Sequence, residues 1–245
     1  SSVGLVIDGK WVDQWYDTET TGGRFQRQDS AFRDHIGAGD RKYPVASGRY
    51  HLYVSWACPW AHRALVFRVI KSLEAHISVS VVDPLMLENG WAFSEGDPLY
   101  GKNYLYELYL KAAPAYEGRV TVPVLWDKET ETIVNNESGE IIRILNSEFN
   151  SLTGNSDDYY PEHLRAEIDA VNERVYHDLN NGVYKAGFAT QQAVYEAEYD
   201  RVFSALDWLE ARLGHSDYLV GDQLTEAGWR LWTTRVRVSR ALIGA

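Results

Sequence analysis

Apolar and polar positions change period several times along this chain, and each change marks an expected element. Residues 1–47 sustain no period. A short hairpin is expected around Asp8-Gly9, a dipeptide suited to a two-residue turn. The rest of this extension is polar and Gly-rich, with Trp11, Trp15 and Phe25 as the anchors by which it would wrap over a later domain. From Tyr50 to Val54 the period becomes two: Tyr50, Leu52 and Val54 alternate with His51 and Tyr53, as in a strand with one buried face. Ala61, Leu65, Val69 and Leu73 then recur every four residues, with Val66 and Ile70 beside them, a helical stripe. His76 to Val82 alternates again, with Ile77, Val79 and Val81 on one face. Strand, helix and strand of these lengths predict a right-handed parallel crossover.

Residues 83–118 hold no period and are punctuated by Pro84, Gly90, Gly96, Pro98 and Gly101, with a short helix expected over Tyr104 to Lys111. A loop of that length beside a site is often functional. Val120 to Trp126 reads as a third strand with Pro123 inside it. Proline cannot donate to a ladder, so this is an edge, a strand start or a bulge. A fourth strand is expected over Glu131 to Val134, then a helix carrying Ile141, Ile142, Leu145 and Phe149, with Asn135 or Asn136 as its N-cap. Beyond Pro161 the pattern is helical throughout. Leu164, Ile168, Val171, Val175 and Leu179 form one stripe, and Tyr195, Tyr199, Val202, Leu206, Leu209 and Leu213 a second, with Gly214 as its C′ stop. A third helix starts near Thr225. The expected organisation is an extension (1–47), an α/β domain (48–150), a linker (151–160) and an all-helical domain (161–245).

Composition narrows the function classes. A formal net charge of −11 argues against nucleic acid or an anionic membrane as partner, since both need a basic footprint. No apolar run approaches the ~20 residues that span a bilayer, and SSVGLVIDGKW lacks the basic flank and apolar core of a signal peptide, so a cytoplasmic location is expected. A single cysteine excludes a disulfide framework within the chain and fits a reducing compartment. None of the seven His falls in a metal-ligand pattern, so no metal is expected.

That cysteine, Cys58, sits where the strand pattern gives way to the helix pattern, with Pro59 at the first helical position. A lone cysteine is ordinarily a small buried hydrophobe. Here it would lie beside the unpaired N–H groups and positive dipole end of a helix, which favour thiolate over thiol. Ala61 stands where a C-x-x-C pair would have its second cysteine, so an external thiol must resolve any disulfide Cys58 forms, which suggests a glutathione-type partner.

Taken together, C-P-W-A-H-R after a strand, T-V-P-V-L-W-D, and N-N-E-S opening a helix resemble the glutathione transferases, with a thioredoxin-like first domain. The closer resemblance is to the cysteine-dependent glutathionyl-hydroquinone reductases, the Xi class, through GGRF, Gly90-Trp91-x-Phe93, GRVTVPVLWDK, IVNNESGEIIR and NNGVYKAGFA; it covers roughly residues 5–234. The resemblance implies a cis Val122-Pro123 bond facing the thiol, with the Val122 backbone pairing the cysteinyl part of glutathione like an added strand. It implies that Glu137 takes the ammonium and Ser138 the carboxylate of the γ-glutamyl end, that Arg119 pairs the glycyl carboxylate, and that Trp91 packs along the peptide. Tyr184 is implied as a helical-domain hydroxyl donating to a phenolic oxygen. Each has a plainer reading: an edge-strand proline for Pro123, a dipole partner for Glu137, a solvated Arg119, a packing Trp91. His62 and Arg63 would support the loop.

Two departures stand out. Gly228 replaces the Asp of the usual helical-domain capping box, a loss of about 0.5–2 kcal/mol. After Thr234, RVRVSRALIGA leaves the family pattern, so the helical domain is expected to be shortened. The implied activity is glutathione-dependent reduction of S-glutathionyl-hydroquinones, chlorinated ones among them, in a homodimer. The competing expectations are an omega-like thioltransferase or dehydroascorbate reductase, and a non-catalytic glutathione-binding module.

Overall fold

The computed structural model describes residues 4–13, 29–180 and 191–232. They fall into two units, one of 4–13 and 29–157, the other of 158–180 and 191–232. Trp15, Phe25 and GGRF lie outside the described residues, as does NNGVYKAGFA beyond its first residue.

The first unit opens on the expected hairpin. Strands β1 (Leu5–Ile7) and β2 (Lys10–Val12) pair antiparallel, and Asp8 and Gly9 turn between them at φ 50 and 71. That double positive φ matches the twist of the flanking strands, which is why Asp-Gly suits it. β1 also pairs with β5 (Gly118–Arg119), so the extension is hydrogen-bonded into this unit. The main sheet has the order β4-β3-β6-β7, with β3 (Tyr50–Val54) parallel to β4 (Ser78–Val81) and antiparallel to β6 (Val124–Asp127), which is antiparallel to β7 (Thr132–Asn135). Beyond β7, residues 32–34 continue the ladder: Asn136 N donates to Phe32 O and Asp34 N to Val134 O, at 3.0 Å each. The extension thus covers an edge that would otherwise template pairing.

Several details differ from the sequence pattern. All five residues of β3 are buried, not one face of it, because β3 is a central strand and the 83–104 segment covers the face bearing Tyr53. Tyr53 meets Phe93 edge-on and donates to Asp97, whose carboxylate also caps the N–H groups of Leu99, Tyr100 and Lys102. On edge strand β4 the buried residue is Ser80, while Val81 is 37% exposed. The stretch expected as one strand from Val120 is two elements, β5 and β6, with the Val122-Pro123 turn between them; Pro123 immediately precedes β6.

Helix α1 (Pro59–Ile70) buries Ala61, Ala64, Leu65 and Phe67, together with Arg63, but leaves Val69 exposed. Its C-terminal end is closed by Lys71, a buried cation donating to the carbonyls of Asn155 and Asp157. Positive charge is favourable where the last carbonyls are unpaired. α2 (Leu105–Ala112) follows the long loop, and α3 (Ser138–Ser147) packs against α1 and is followed by α4 (Asn150–Thr153). The N-cap of α3 is Glu137 rather than either asparagine.

The second unit is helical, with α5 (Arg165–Arg174) running on into a π-helical turn over Val175–Asn180, then α6 (Gln192–Gly214) and a helical run over 226–232. Ile168, Val171, Val175, Leu179, Val202, Leu209, Leu219, Val220 and Ala227 form its core. On α6 the buried seam is Val194, Glu198, Val202, Ala205 and Leu209, rotated from the expected stripe: Tyr199 and Leu213 are exposed, and Gly214 is the last helical residue rather than a left-handed stop. The run at 226–232 begins where expected although the capping box lacks its Asp. Gly228 N donates to Thr225 O at 3.1 Å, and buried Glu226 accepts from Asn172 Nδ2 at 2.9 Å and pairs with Arg230 at 3.3 Å.

Candidate active site

Topology alone gathers the candidate residues. β6 is antiparallel to its neighbours β3 and β7, so β6 begins at the sheet edge where β3 and β7 end. The register places Tyr53 opposite Val124, and Leu125 opposite Asn135. Cys58, four residues past β3, Val122-Pro123 just ahead of β6, and Glu137-Ser138 just past β7 therefore share one edge of one sheet. This is the end at which helices leave parallel strands, where ligands bind in α/β folds.

Cys58 is the N-cap of α1, at φ −103 and ψ 116, half-buried and in no disulfide. A tight turn delivers it: Ser55 Oγ accepts from Ala57 N at 3.1 Å, and Ser55 O accepts from Cys58 N at 3.4 Å. With Pro59 at N1, the sulfur stands at the positive end of a twelve-residue helix. It lies 3.7 Å from the carbonyl oxygen of Val122, across a cis Val122-Pro123 peptide. Val122 and Pro123 are both buried. Trp56, two residues ahead of the thiol, is 67% exposed, with its ring edge-on to His62. Burial pushes the His62 imidazolium below its ordinary range, and buried Arg63 lies over the Trp60 ring at 4.7 Å.

At α3, Glu137 Oε2 accepts from Glu140 N at 2.8 Å, so its role as a cap is visible in the structure. Ser138 is buried at the first helical position. Arg33 of the extension holds Glu140 with both arms of its guanidinium, at 2.6 and 2.8 Å, and its hydrogen bond holds that carboxyl below the usual range. Arg119, in β5, is half-buried and donates through Nη1 to Gly4 O at 3.3 Å. Trp91 is half-buried in the long loop, and its carbonyl accepts from Leu105 N. Tyr184 lies outside the described residues.

Sequence reasoning missed the polar link between the two backbone stretches flanking the thiol. Tyr109 of α2 is fully buried, and its hydroxyl reaches Thr121, ahead of Val122, and Asn136, ahead of Glu137. The available signal was Asn135-Asn136 itself: two adjacent amides exceed what one helix start can use. Both are buried, and both bind the extension, Asn135 through Asp34 O and Asn136 through Phe32 N. Among the described residues there is no cluster of His, Cys, Asp and Glu able to hold a metal, and no helix long and apolar enough to cross a membrane.

Residues 57–148 match the glutathione S-transferase N-terminal domain and residues 192–242 the glutathione S-transferase C-terminal domain. The chain is 55% identical to the glutathionyl-hydroquinone reductase YqjG of Escherichia coli, over 96% of this chain and 76% of that protein. It superposes on the glutathione-bound structure of YqjG with a TM-score of 0.81 at 53% identity, covering 84% of this chain and 71% of that one. Glutathionyl-hydroquinone reductase PcpF of Sphingobium chlorophenolicum is 54% identical, over 96% of this chain and 76% of that protein. The structure of glutathione-S-transferase Xi from Phanerochaete chrysosporium superposes with a TM-score of 0.86 at 51% identity, covering 89% of this chain and 72% of that one.

Proposed function

The chain belongs to the glutathionyl-hydroquinone reductases, within the glutathione transferase superfamily, and from that premise we propose that it reduces S-glutathionyl-hydroquinones, chlorinated ones included, at the expense of glutathione. The observation that carries this reading is the sulfur of Cys58 at the start of α1, 3.7 Å from the Val122 carbonyl.

The Cys58 thiolate attacks the glutathionyl sulfur of the aromatic thioether. A sulfur–sulfur bond forms, the sulfur–aryl bond breaks, and the electron pair leaves on the ring carbon, which takes a proton. A keto tautomer at that carbon eases departure, and Tyr184 is assigned the hydroxyl that faces the phenolic oxygen. A second glutathione attacks the mixed disulfide, returning the Cys58 thiolate and releasing oxidised glutathione. The two electrons that reduce the aryl carbon thus come from two thiols. In this scheme Val122 pairs the cysteinyl backbone of glutathione, Glu137 and Ser138 hold its γ-glutamyl end, Arg119 its glycyl carboxylate, and Trp91 lies along the peptide. A homodimer working in the cytoplasm completes the proposal.

Turnover on a glutathionyl-hydroquinone, compared with dehydroascorbate and a glutathione mixed disulfide, tests it. The expected order puts the thioether first, and Cys58→Ala removes that activity while leaving glutathione binding in place. Preference for dehydroascorbate, or retained thioether reduction in Cys58→Ala, contradicts the proposal.

A further inference from the structure

Both backbone stretches assigned to glutathione, Val122 on one side and Glu137-Ser138 on the other, hang on one phenol. Tyr109 Oη donates to Thr121 O at 2.7 Å and accepts from Thr121 N at 3.2 Å and from Asn136 Nδ2 at 3.1 Å. Tyr109 is 0% exposed and Asn136 5%. The ring is held in turn by Phe32, edge-on at 5.7 Å, and by Tyr116 at 5.2 Å. Asn136 passes the connection outward: its Oδ1 accepts from Phe32 N at 3.2 Å, and its own N–H donates to Phe32 O. Burial raises the Tyr109 phenol above its ordinary range, and the bonds from Asn136 and Thr121 oppose that shift only in part, so the group stays a neutral donor and acceptor.

Thr121 and Asn136 are fifteen positions apart in sequence and lie in different turns. The sheet brings those turns to one edge, but β6 and β7 do not fix one turn against the other: Thr121 precedes β6 outside its ladder, and Asn136 follows β7 and pairs there with Phe32 of the extension rather than with β6. A hydroxyl that bonds both fixes their separation. Such a group has no reason to touch substrate, yet a ligand spanning the two turns depends on the spacing it sets.

We infer that Tyr109 is a positioning residue for glutathione, setting the distance between the Val122 turn and the start of α3 through its bonds to Thr121 and Asn136. The inference rests on the proposed placement of glutathione at those two turns. Phenylalanine would fill the same volume, so Tyr109→Phe removes the hydroxyl's bonds to Thr121 and Asn136 while keeping the packing of the ring.

Calorimetry with glutathione in a Cys58→Ala background, alongside the Michaelis constant for glutathione in the Cys58-containing protein, tests it. Tyr109→Phe is expected to weaken glutathione roughly 10- to 100-fold, the scale on which misplacement of a binding element acts. Alkylation of Cys58 by iodoacetamide is expected to change far less than the glutathione affinity, since Tyr109 makes no bond to the turn that carries the thiol and the sulfur meets the Val122 turn only at the carbonyl 3.7 Å away. Asn136→Ala should produce the same split, and the double variant should lose clearly less than the sum of the two single losses, because the Tyr109–Asn136 bond is common to both. If Tyr109→Phe does not fold, the Asn136→Ala split decides. Glutathione binding unchanged in either folded variant overturns the inference, as do additive losses or a parallel fall in Cys58 alkylation. No binding at all by Cys58→Ala overturns the glutathione site itself, and this inference with it.

Discussion

The imidazole of His51 lies between two serine hydroxyls, Nδ1 2.6 Å from Ser78 Oγ and Nε2 2.7 Å from Ser80 Oγ. The neutral ring serves one hydroxyl as donor and the other as acceptor. Burial pushes its pKa down to about 4; Lys128 and Arg68 push the same way, while Asp97 opposes them. Because the unfolded state then binds a proton that the folded state refuses, stability falls as pH drops from the unfolded value near 6.5 toward 4. The loss reaches about 3 kcal/mol once both states are protonated. Asp127 behaves differently: burial raises it, but the Arg49 fork, the Thr130 hydroxyl and the Glu129 N–H outweigh burial and hold it below the usual range. Its contribution is present above the ordinary carboxylate range and is lost only at more acid pH. Urea unfolding at pH 7 and pH 4.5 should therefore show a drop that His51→Asn flattens; equal drops in both proteins contradict this assignment. Read from sequence, His51 is merely the polar partner in an alternating strand, because period two reports one face and says nothing of what covers the other. Cys58 is legible for the opposite reason: strand, turn, Cys and Pro are all local signals, and the position of the thiol at a helix start follows from them.

At the scale of elements, the long loop after β4 is held by contacts that no pattern encodes. Trp11 of β2 stacks on Tyr106 at 5.5 Å, donates through Nε1 to Glu88 O, and lies where a side chain on Gly90 would be. Gly90 has φ +73, and a Cβ there would come within 2.7 Å of the Trp11 ring. Gly90→Ala is thus expected to cost about 1–3 kcal/mol in thermal or denaturant stability and to shift Trp11 emission. An unchanged melting curve contradicts the tie between hairpin and loop. The extension was legible as a wrapping segment with Trp11 as an anchor. Its pairing with β5 and with the edge of β7 was not, since antiparallel partners so far apart in sequence leave no mark on either. The helix seams show the same limit. On α6 the four-and-three spacing of Tyr195, Tyr199 and Leu213 identifies a helix, but tyrosine fits a rim as well as a core, and the buried seam runs through Val194 and Glu198 instead.

At the scale of the molecule, the order of an α/β unit before a helical one follows from the change of period near Pro161, and the parallel pairing of β3 with β4 follows from the strand–helix–strand start. Which strands pair beyond that is a matter of long-range contact, which the period of a strand does not report. The chain spans about three quarters of the length of the reductases it resembles. Its net charge of −11 sets an expectation for partners: retention on DNA or on anionic vesicles at physiological salt should be absent, and salt-sensitive binding to either contradicts it. The chemistry rests on one sulfur that must carry glutathione between two reactions. Intact mass spectrometry after mixing the protein with one equivalent of an S-glutathionyl-hydroquinone, with no added glutathione, tests this most directly. The expected result is one glutathionyl group on the Cys58 peptide, hydroquinone released in equal amount, and the original mass restored with oxidised glutathione once glutathione is added. Hydroquinone released while Cys58 stays unmodified would contradict it.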